Sequence, residues 1–163
     1  LIPSIMTKAA EIGMTIVLNP SPIDEQLLAY PLDLVDIFLL NEIEAMDIVG
    51  SDLPHKELLR ALSSKFPEAK IVLTLGEEGA LYLDRKDGKI LEHGIFDVEV
   101  VDTTAAGDTF TGYFIATLAG TNDPREALRV ASLAAALVVS RPGAAPAIPT
   151  KEEVFSMDLP HKA

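Results

Sequence analysis

Between Asp102 and Gly112 the sequence runs Asp-Thr-Thr-Ala-Ala-Gly-Asp-Thr-Phe-Thr-Gly. Three consecutive small residues in it, Ala105, Ala106 and Gly107, let an anion approach the backbone closely. The apolar pattern that follows predicts a helix over about 108–119. The amides of Ala105, Ala106 and Gly107 would then point into a space at the helix's positive end, where a phosphate is favoured. Asp108 falls in the first helical turn, which favours its ionised form. A carboxylate beside a phosphate site is electrostatically awkward unless it has a task, and accepting a proton from an attacking hydroxyl is such a task. The same spacing fits a carboxylate that merely caps a helix behind a tight turn. Spacing alone does not choose between the two.

Three other segments stand out, each with a structural reading of its own. Asn41-Glu42-Ile43-Glu44 follows the apolar run Val35–Leu40; Asn at the cap and Glu three residues on is also the pattern of a capping box. Thr74-Leu75-Gly76-Glu77-Glu78-Gly79 closes another apolar run, and its glycines serve a plain turn equally well. Ser140-Arg141-Pro142-Gly143-Ala144-Ala145-Pro146 reads as a loop after a helix, and its residue types barely constrain any chemistry. His55, His93 and His161 lack the spacing of a metal site or of a nucleophile relay, and none is given a role.

These residues must be held by alternating elements. Helical spacing runs from Ile2 to Ile12 with Gly13 as a stop. Thr15–Leu18 reads as a short strand broken by Asn19-Pro20-Ser21-Pro22. Asp24 caps a short helix through Leu28. Val35–Leu40 reads as a buried strand, followed by a helix from Asn41 to Gly50 and another over His55–Phe66. Strands are expected at Lys70–Leu75, Gly79–Asp84, Ile90–His93 and Phe96–Val101, with Asp87-Gly88 turning a hairpin. Asp123-Pro124 starts a helix that runs to about Ser140, and Thr150-Lys151-Glu152-Glu153 opens a last short one. The order implies a three-layer α/β architecture, a mostly parallel sheet flanked by helices with an antiparallel hairpin, in one domain over 1–163 or one half of a larger domain.

Bulk properties narrow the chemistry. With 48% hydrophobic and 23% charged residues the chain reads as globular. A net charge of −12 opposes binding to nucleic acid, which needs a basic footprint, and any bound nucleotide must be held by amides, helix ends, a few basic side chains or metal ions. The longest apolar run, around 131–139, is about half of a membrane span. The absence of cysteine removes disulfides and thiolate chemistry and fits a cytoplasmic protein. No G-x-G-x-x-G follows an early strand, which disfavours a dinucleotide-dependent oxidoreductase.

The stretch Asp102–Gly112 closely resembles the C-terminal signature of the ribokinase-like (PfkB) carbohydrate kinases, departing at Tyr113, where that family usually has Ala or Gly. The resemblance implies that Asp108 is the general base and that Ala105, Ala106 and Gly107 form an anion hole for a transferring phosphate. Asn41 and Glu44 resemble the family's N-x-x-E motif, which places magnesium and phosphate. Thr74, Gly76 and Gly79 resemble the strand end where a nucleotide's phosphates and ribose lie. Ser132 would border the adenine. Asp102, Thr104, Val138, Arg141 and Gly143 would enclose a monovalent cation such as K+, with Ala147 departing from a Ser ligand frequent in ribokinases. Asn19-Pro20-Ser21-Pro22 resembles the family's NPAP stretch and supports the register.

The resemblance covers Ile2 to about Val154, while family members are about twice as long. The chain, which opens at Leu1 inside an amphipathic pattern, is therefore expected to be a C-terminal half. The residues that contact substrate and a small β-sheet lid would lie upstream. The implied activity is ATP- and Mg2+-dependent phosphorylation of a sugar such as ribose, by a homodimer when full length. A nucleotide-binding module without turnover, or a kinase of a nucleoside or vitamin precursor, stands as the alternative.

Overall fold

Uncharged apolar runs flanked by turn residues become strands, and the amphipathic stretches between them become helices. In the computed structural model of the chain, residues 1–21, 23 and 26–162 are described. Pro22 and the Asp24 cap fall outside them, and Leu27–Ala29 forms a 3-10 turn. Strands β1 (Val17–Leu18), β2 (Ile37–Asn41) and β3 (Lys70–Thr74) pair in parallel, with Val17 opposite Ile37 and Asn41 opposite Thr74. Phe38, Leu39 and Leu40 on β2, like Ile71, Val72 and Leu73 on β3, are all buried. Both faces of these strands are covered, as continuous apolar runs in parallel sheets require.

Strands β4 (Ala80–Asp84) and β5 (Ile90–His93) complete a sheet in the order β1-β2-β3-β4-β5. Residues 75–79 and 85–89 are the connections on either side of β4. Both are far shorter than the roughly dozen residues of a parallel crossover, so β4 reverses direction and the sheet is mixed. Gly88, at φ +63, supplies the left-handed residue that the hairpin needs.

Six α-helices occur among the described residues: α1 (Ile2–Glu11), α2 (Glu42–Val49), α3 (His55–Lys65), α4 (Ala106–Thr121), α5 (Pro124–Val139) and α6 (Lys151–Ser156). Their ends follow the sequence signals. Gly13 and Gly50 are left-handed after α1 and α2. The Asp123 carboxylate accepts the amides of Arg125 and Glu126 ahead of Pro124. Thr150 and Glu153 form a reciprocal capping box.

The chain divides into two compact units, one of residues 1–75 with 81–91, the other of 76–80 with 92–163. The first is built on Phe38, Leu40, Leu58, Leu59, Leu62 and Ile71, with the Phe38 and Phe66 rings 4.6 Å apart. In the second, α4 and α5 pack along one another, and Val130, Leu133, Leu137, Phe96 and Val154 share a core.

The strand expected over Phe96–Val101 does not form. Phe96 makes a single antiparallel bridge with His161, supported by the Asp97 amide donating to Pro160 O and the Lys162 amide to Ile95 O. Beyond Phe96 no ladder partner is present among the described residues, and Val100 and Val101 are exposed. Alternating apolar residues make a strand only where a neighbour supplies hydrogen bonds. In the same unit His161 stacks on Phe96 at 4.5 Å and lies 5.3 Å from His93. Burial holds the His93 pKa below the ordinary imidazole value, its bond to Gly94 O opposing, with His161 and Arg129 adding to the depression. No helix among the described residues is long and apolar enough to cross a membrane.

Candidate active site

Helix α4 starts at Ala106, two residues before the position expected from the sequence, because Ala105 takes a left-handed conformation (φ 63, ψ 10) and turns the chain into the helix there. An L-residue with a Cβ pays roughly 1–2 kcal/mol for that conformation. Backbone strain of this kind clusters at functional turns. Ala105 has no side chain able to cap, so the first amides depend on other partners. The Ala106 amide donates to Thr103 O at 3.2 Å, and the Thr109 amide donates to Ala105 O at 2.9 Å. The amides of Ala105, Gly107 and Asp108 have no hydrogen-bond partner among the described residues. Of the three amides expected to face an anion, that of Ala106 is therefore engaged, and the Asp108 amide is open beside those of Ala105 and Gly107.

Asp108 is solvent-exposed in this first turn. Beside it the Thr109 hydroxyl is buried without a hydrogen-bond partner among the described residues, a rare condition that costs about 1–3 kcal/mol. A groove of about 580 Å³ runs from Asp108 along α4, lined also by Gly112, Tyr113, Ile148, Lys151 and Phe155. Asp108 and Lys151 are its charged members. The Lys151 ammonium sits 5.8 Å from the centre of the Phe155 ring.

The approach to this turn is tied to the loop after α5. One Asp102 oxygen accepts the Thr104 amide at 2.9 Å and the other accepts the Gly143 amide at 3.0 Å. Bonds from Thr104, then the Gly143 amide, hold the Asp102 carboxyl below the ordinary carboxylate range. Val139 O accepts the amides of Val101 and Asp102. Asp102, Thr104 and Gly143 are thus together, as the cation reading needs. The Val138 carbonyl already accepts the amides of Ser140 and Arg141, which leaves it little capacity for an ion. The Arg141 guanidinium donates to Glu153 at 2.8 Å. Ser132 is buried on α5.

In the first unit, Asn41 and Thr74 lie opposite each other at the carboxyl ends of β2 and β3, the edge where open α/β sheets bind ligands. Asn41 Oδ1 accepts the Glu44 amide at 2.8 Å, and Glu44 Oε2 accepts the Asn41 amide at 2.9 Å. The capping box is real, and Glu44 is only 6% exposed. The Thr74 hydroxyl donates to Leu40 O. Gly76 and Gly79 belong to the second unit. A Cβ on Gly79 would collide with the carbonyl of His93 and the Cα of Gly94; close packing accounts for that glycine. Among the described residues no group of three or more His, Asp or Glu could hold a metal ion by itself.

In the second unit of this open α/β fold, a carboxylate in the first turn of a helix and open amides thus share one turn behind the strained Ala105. The chain matches the model of the pfkB family carbohydrate kinases over residues 4–151, and it belongs to that family. It is 37% identical over 147 residues to a ribokinase of Haemophilus influenzae, covering 88% of this chain and 47% of the relative. A ribokinase of Staphylococcus aureus is 34% identical over 87% of the chain and 47% of its own length. The chain thus spans about half the length of these relatives. Arabidopsis thaliana ribokinase, solved with ribose and ATP, superposes with a TM-score of 0.79 at 27% identity, over 94% of this chain and 50% of that one. Ribokinase of Cryptococcus neoformans, solved with ADP, gives 0.80 at 28% identity, over 94% and 55%. An Escherichia coli structure of the same fold, solved with ATP and Mg2+, gives 0.79 at 26% identity, over 95% and 52%.

Proposed function

We propose that the protein to which this chain belongs transfers the terminal phosphoryl group of ATP to a sugar hydroxyl, ribose or a related monosaccharide, with Asp108 as the general base. The observation that carries this reading is the start of α4. An exposed carboxylate and the open amides of Gly107 and Asp108 share one turn behind the strained Ala105. Phosphoryl transfer asks a protein mainly for positioning and for stabilisation of charge, and this turn offers both. Asp108 accepts the acceptor hydroxyl's proton. The amides of Ala105, Gly107 and Asp108 face the transferring phosphate, while Ala106 contributes chiefly by being small. The orphaned Thr109 hydroxyl fits a turn that is complete only when something polar is bound beside it.

ATP brings the phosphoryl group, and Mg2+ offsets the charge on it. Asn41 and Glu44 are the residues of this chain suited to organising the ion, through water and phosphate oxygens, since Mg2+ is usually held by few carboxylates. Glu44 keeps one carboxylate oxygen outside the capping box for that purpose. Thr74, Gly76 and Gly79 would border the nucleotide's phosphates and ribose, and Ser132 its adenine. K+ would lie by the loop that Asp102 ties to Gly143, among the carbonyls around Thr104, Arg141 and Gly143. A cytoplasmic homodimer in the full-length protein completes the proposal. The test is Asp108→Asn in the natural polypeptide. Turnover should fall by at least about 10²-fold, the scale of lost general-base catalysis, with nucleotide affinity little changed. A variant that keeps near-normal kcat would remove Asp108 from this role.

A further inference from the structure

Tyr113 follows the Asp102–Gly112 stretch on helix α4, and in the structure it has a specific contact. Its hydroxyl donates to the carbonyl of Pro149 at 2.7 Å, a bond between residues 36 apart in sequence. Its ring packs against the core formed by Val130, Leu133 and Leu137. Burial, with Glu153 and Glu152 nearby, pushes the phenol's pKa above its ordinary value, so the hydroxyl stays a donor through the neutral range.

Pro149 ends the loop that begins after α5, and that loop is held at several points. Its Gly143 amide donates to Asp102 at 3.0 Å. Arg141 pairs with Glu153 at 2.8 Å, and Glu153 in turn accepts the amide of Thr150, next to Pro149, at 2.6 Å. Hydrogen bonds and short stretches of chain link Asp102, Gly143, Arg141, Glu153, Thr150, Pro149 and Tyr113 in series. Asp102 begins the turn that delivers Asp108, and Tyr113 stands on helix α4, whose first turn holds Asp108. The loop thus bridges the two sides of the turn.

We infer that Tyr113 is a positioning residue: through Pro149 and the braced loop 141–149 it fixes the Asp102–Asp108 turn against helix α4. The role rests on the kinase reading for its catalytic consequence and on geometry alone for its structural one. The variant Tyr113→Phe keeps the ring and removes the hydroxyl. Glu153→Gln breaks the same series elsewhere, since Gln still serves the cap at Thr150 and loses the charge that holds Arg141.

Both variants are made in the natural polypeptide and followed by hydrogen–deuterium exchange on peptides and by kinetics. In Tyr113→Phe, segments 102–106 and 141–149 should exchange about 2- to 10-fold faster, the effect of one neutral hydrogen bond, while α5 residues 127–138 stay unchanged. Glu153→Gln should act on the same segments. For Tyr113→Phe, kcat should fall by a similar factor with KM for ATP unchanged. Unchanged exchange in both segments, or acceleration spread equally into α5, overturns the brace. Local acceleration with an unaltered kcat overturns the positioning role. If the wild type transfers no phosphoryl group at all, the kinase reading fails by itself, and exchange still decides whether the brace exists.

Discussion

Ala105 and Gly79 carry opposite mismatches between side chain and backbone. Ala105 has a Cβ at φ 63, in the left-handed region that Gly occupies without penalty. Gly79 sits at φ +94 with no room for a Cβ beneath the His93 carbonyl. Ala105→Gly should therefore stabilise the chain. Relief of the roughly 1–2 kcal/mol of left-handed strain exceeds the roughly 0.5–1 kcal/mol that glycine's flexibility adds to the unfolded state. Gly79→Ala should destabilise it by about 2 kcal/mol or more, combining strain with a backbone clash. At about 2–4 °C per kcal/mol for a chain of this size, thermal denaturation resolves both signs. A Gly79→Ala protein of unchanged midpoint that binds ATP more weakly would mean that the nucleotide, and not the His93 carbonyl, is what requires a glycine there. A lower midpoint for Ala105→Gly would mean that the turn's geometry carries no strain to release.

Helix α2 poses the question of function against capping most sharply, because Asn41 and Glu44 satisfy both readings in the sequence and the structure realises the cap. The two roles separate by substitution. Glu44→Gln keeps a residue able to close the capping box and removes the charge. Stability should stay within about 0.5 kcal/mol, while kcat at limiting Mg2+ falls in the natural polypeptide. Asn41→Ala should instead cost about 1 kcal/mol of stability. A Glu44→Gln enzyme with a normal Mg2+ response would leave α2 a purely structural helix. Elements of this kind were legible: the caps at Asn41, Asp123 and Thr150, and the apolar runs of β2 and β3, state their own boundaries locally. What was not legible depends on distant partners. The pattern Phe96, Val98, Val100 has strand alternation, yet residues 160–162 offer Phe96 a single bridge. The early start of α4 follows from a left-handed alanine that no propensity favours. Nor does the bond of Tyr113 show in the sequence, since its partner Pro149 lies far along the chain. The candidate turns themselves were readable because a helix start and a strand end lie in consecutive sequence. The engagement of Ala106 and of Val138 O was not, because a hydrogen bond to a turn carbonyl leaves no mark on residue type.

At the scale of the whole molecule, charge and apolar exposure oppose each other. A net charge of −12 on 163 residues favours dispersal. Against it, Ile5 and Ile12 on and after α1 are 56% and 61% exposed, Met14 is 59% exposed, and β1 is an edge strand of two residues. Single exposed hydrophobics are ordinary, but several on one helix form the kind of surface that seeks cover, and a free strand edge adds unpaired backbone groups. The 163-residue chain should therefore self-associate as concentration rises. Association should strengthen with salt, because at about 0.5 M the Debye length is only a few ångströms and the repulsion is screened. Sedimentation velocity at low and high salt reads this directly, and Ile5→Glu with Ile12→Glu should shift the chain toward monomer. A coupled ADP assay on the same samples bears on the site. The relatives have about as much chain again, so the 163 residues alone should turn over ribose far below the roughly 1–100 s⁻¹ of kinases. A stable monomer at all salt concentrations would show that the α1 surface is adequately solvated. A monomer that phosphorylates ribose at ordinary rates would place the whole acceptor site within these residues, with the groove beside Asp108 as the first place to look for it.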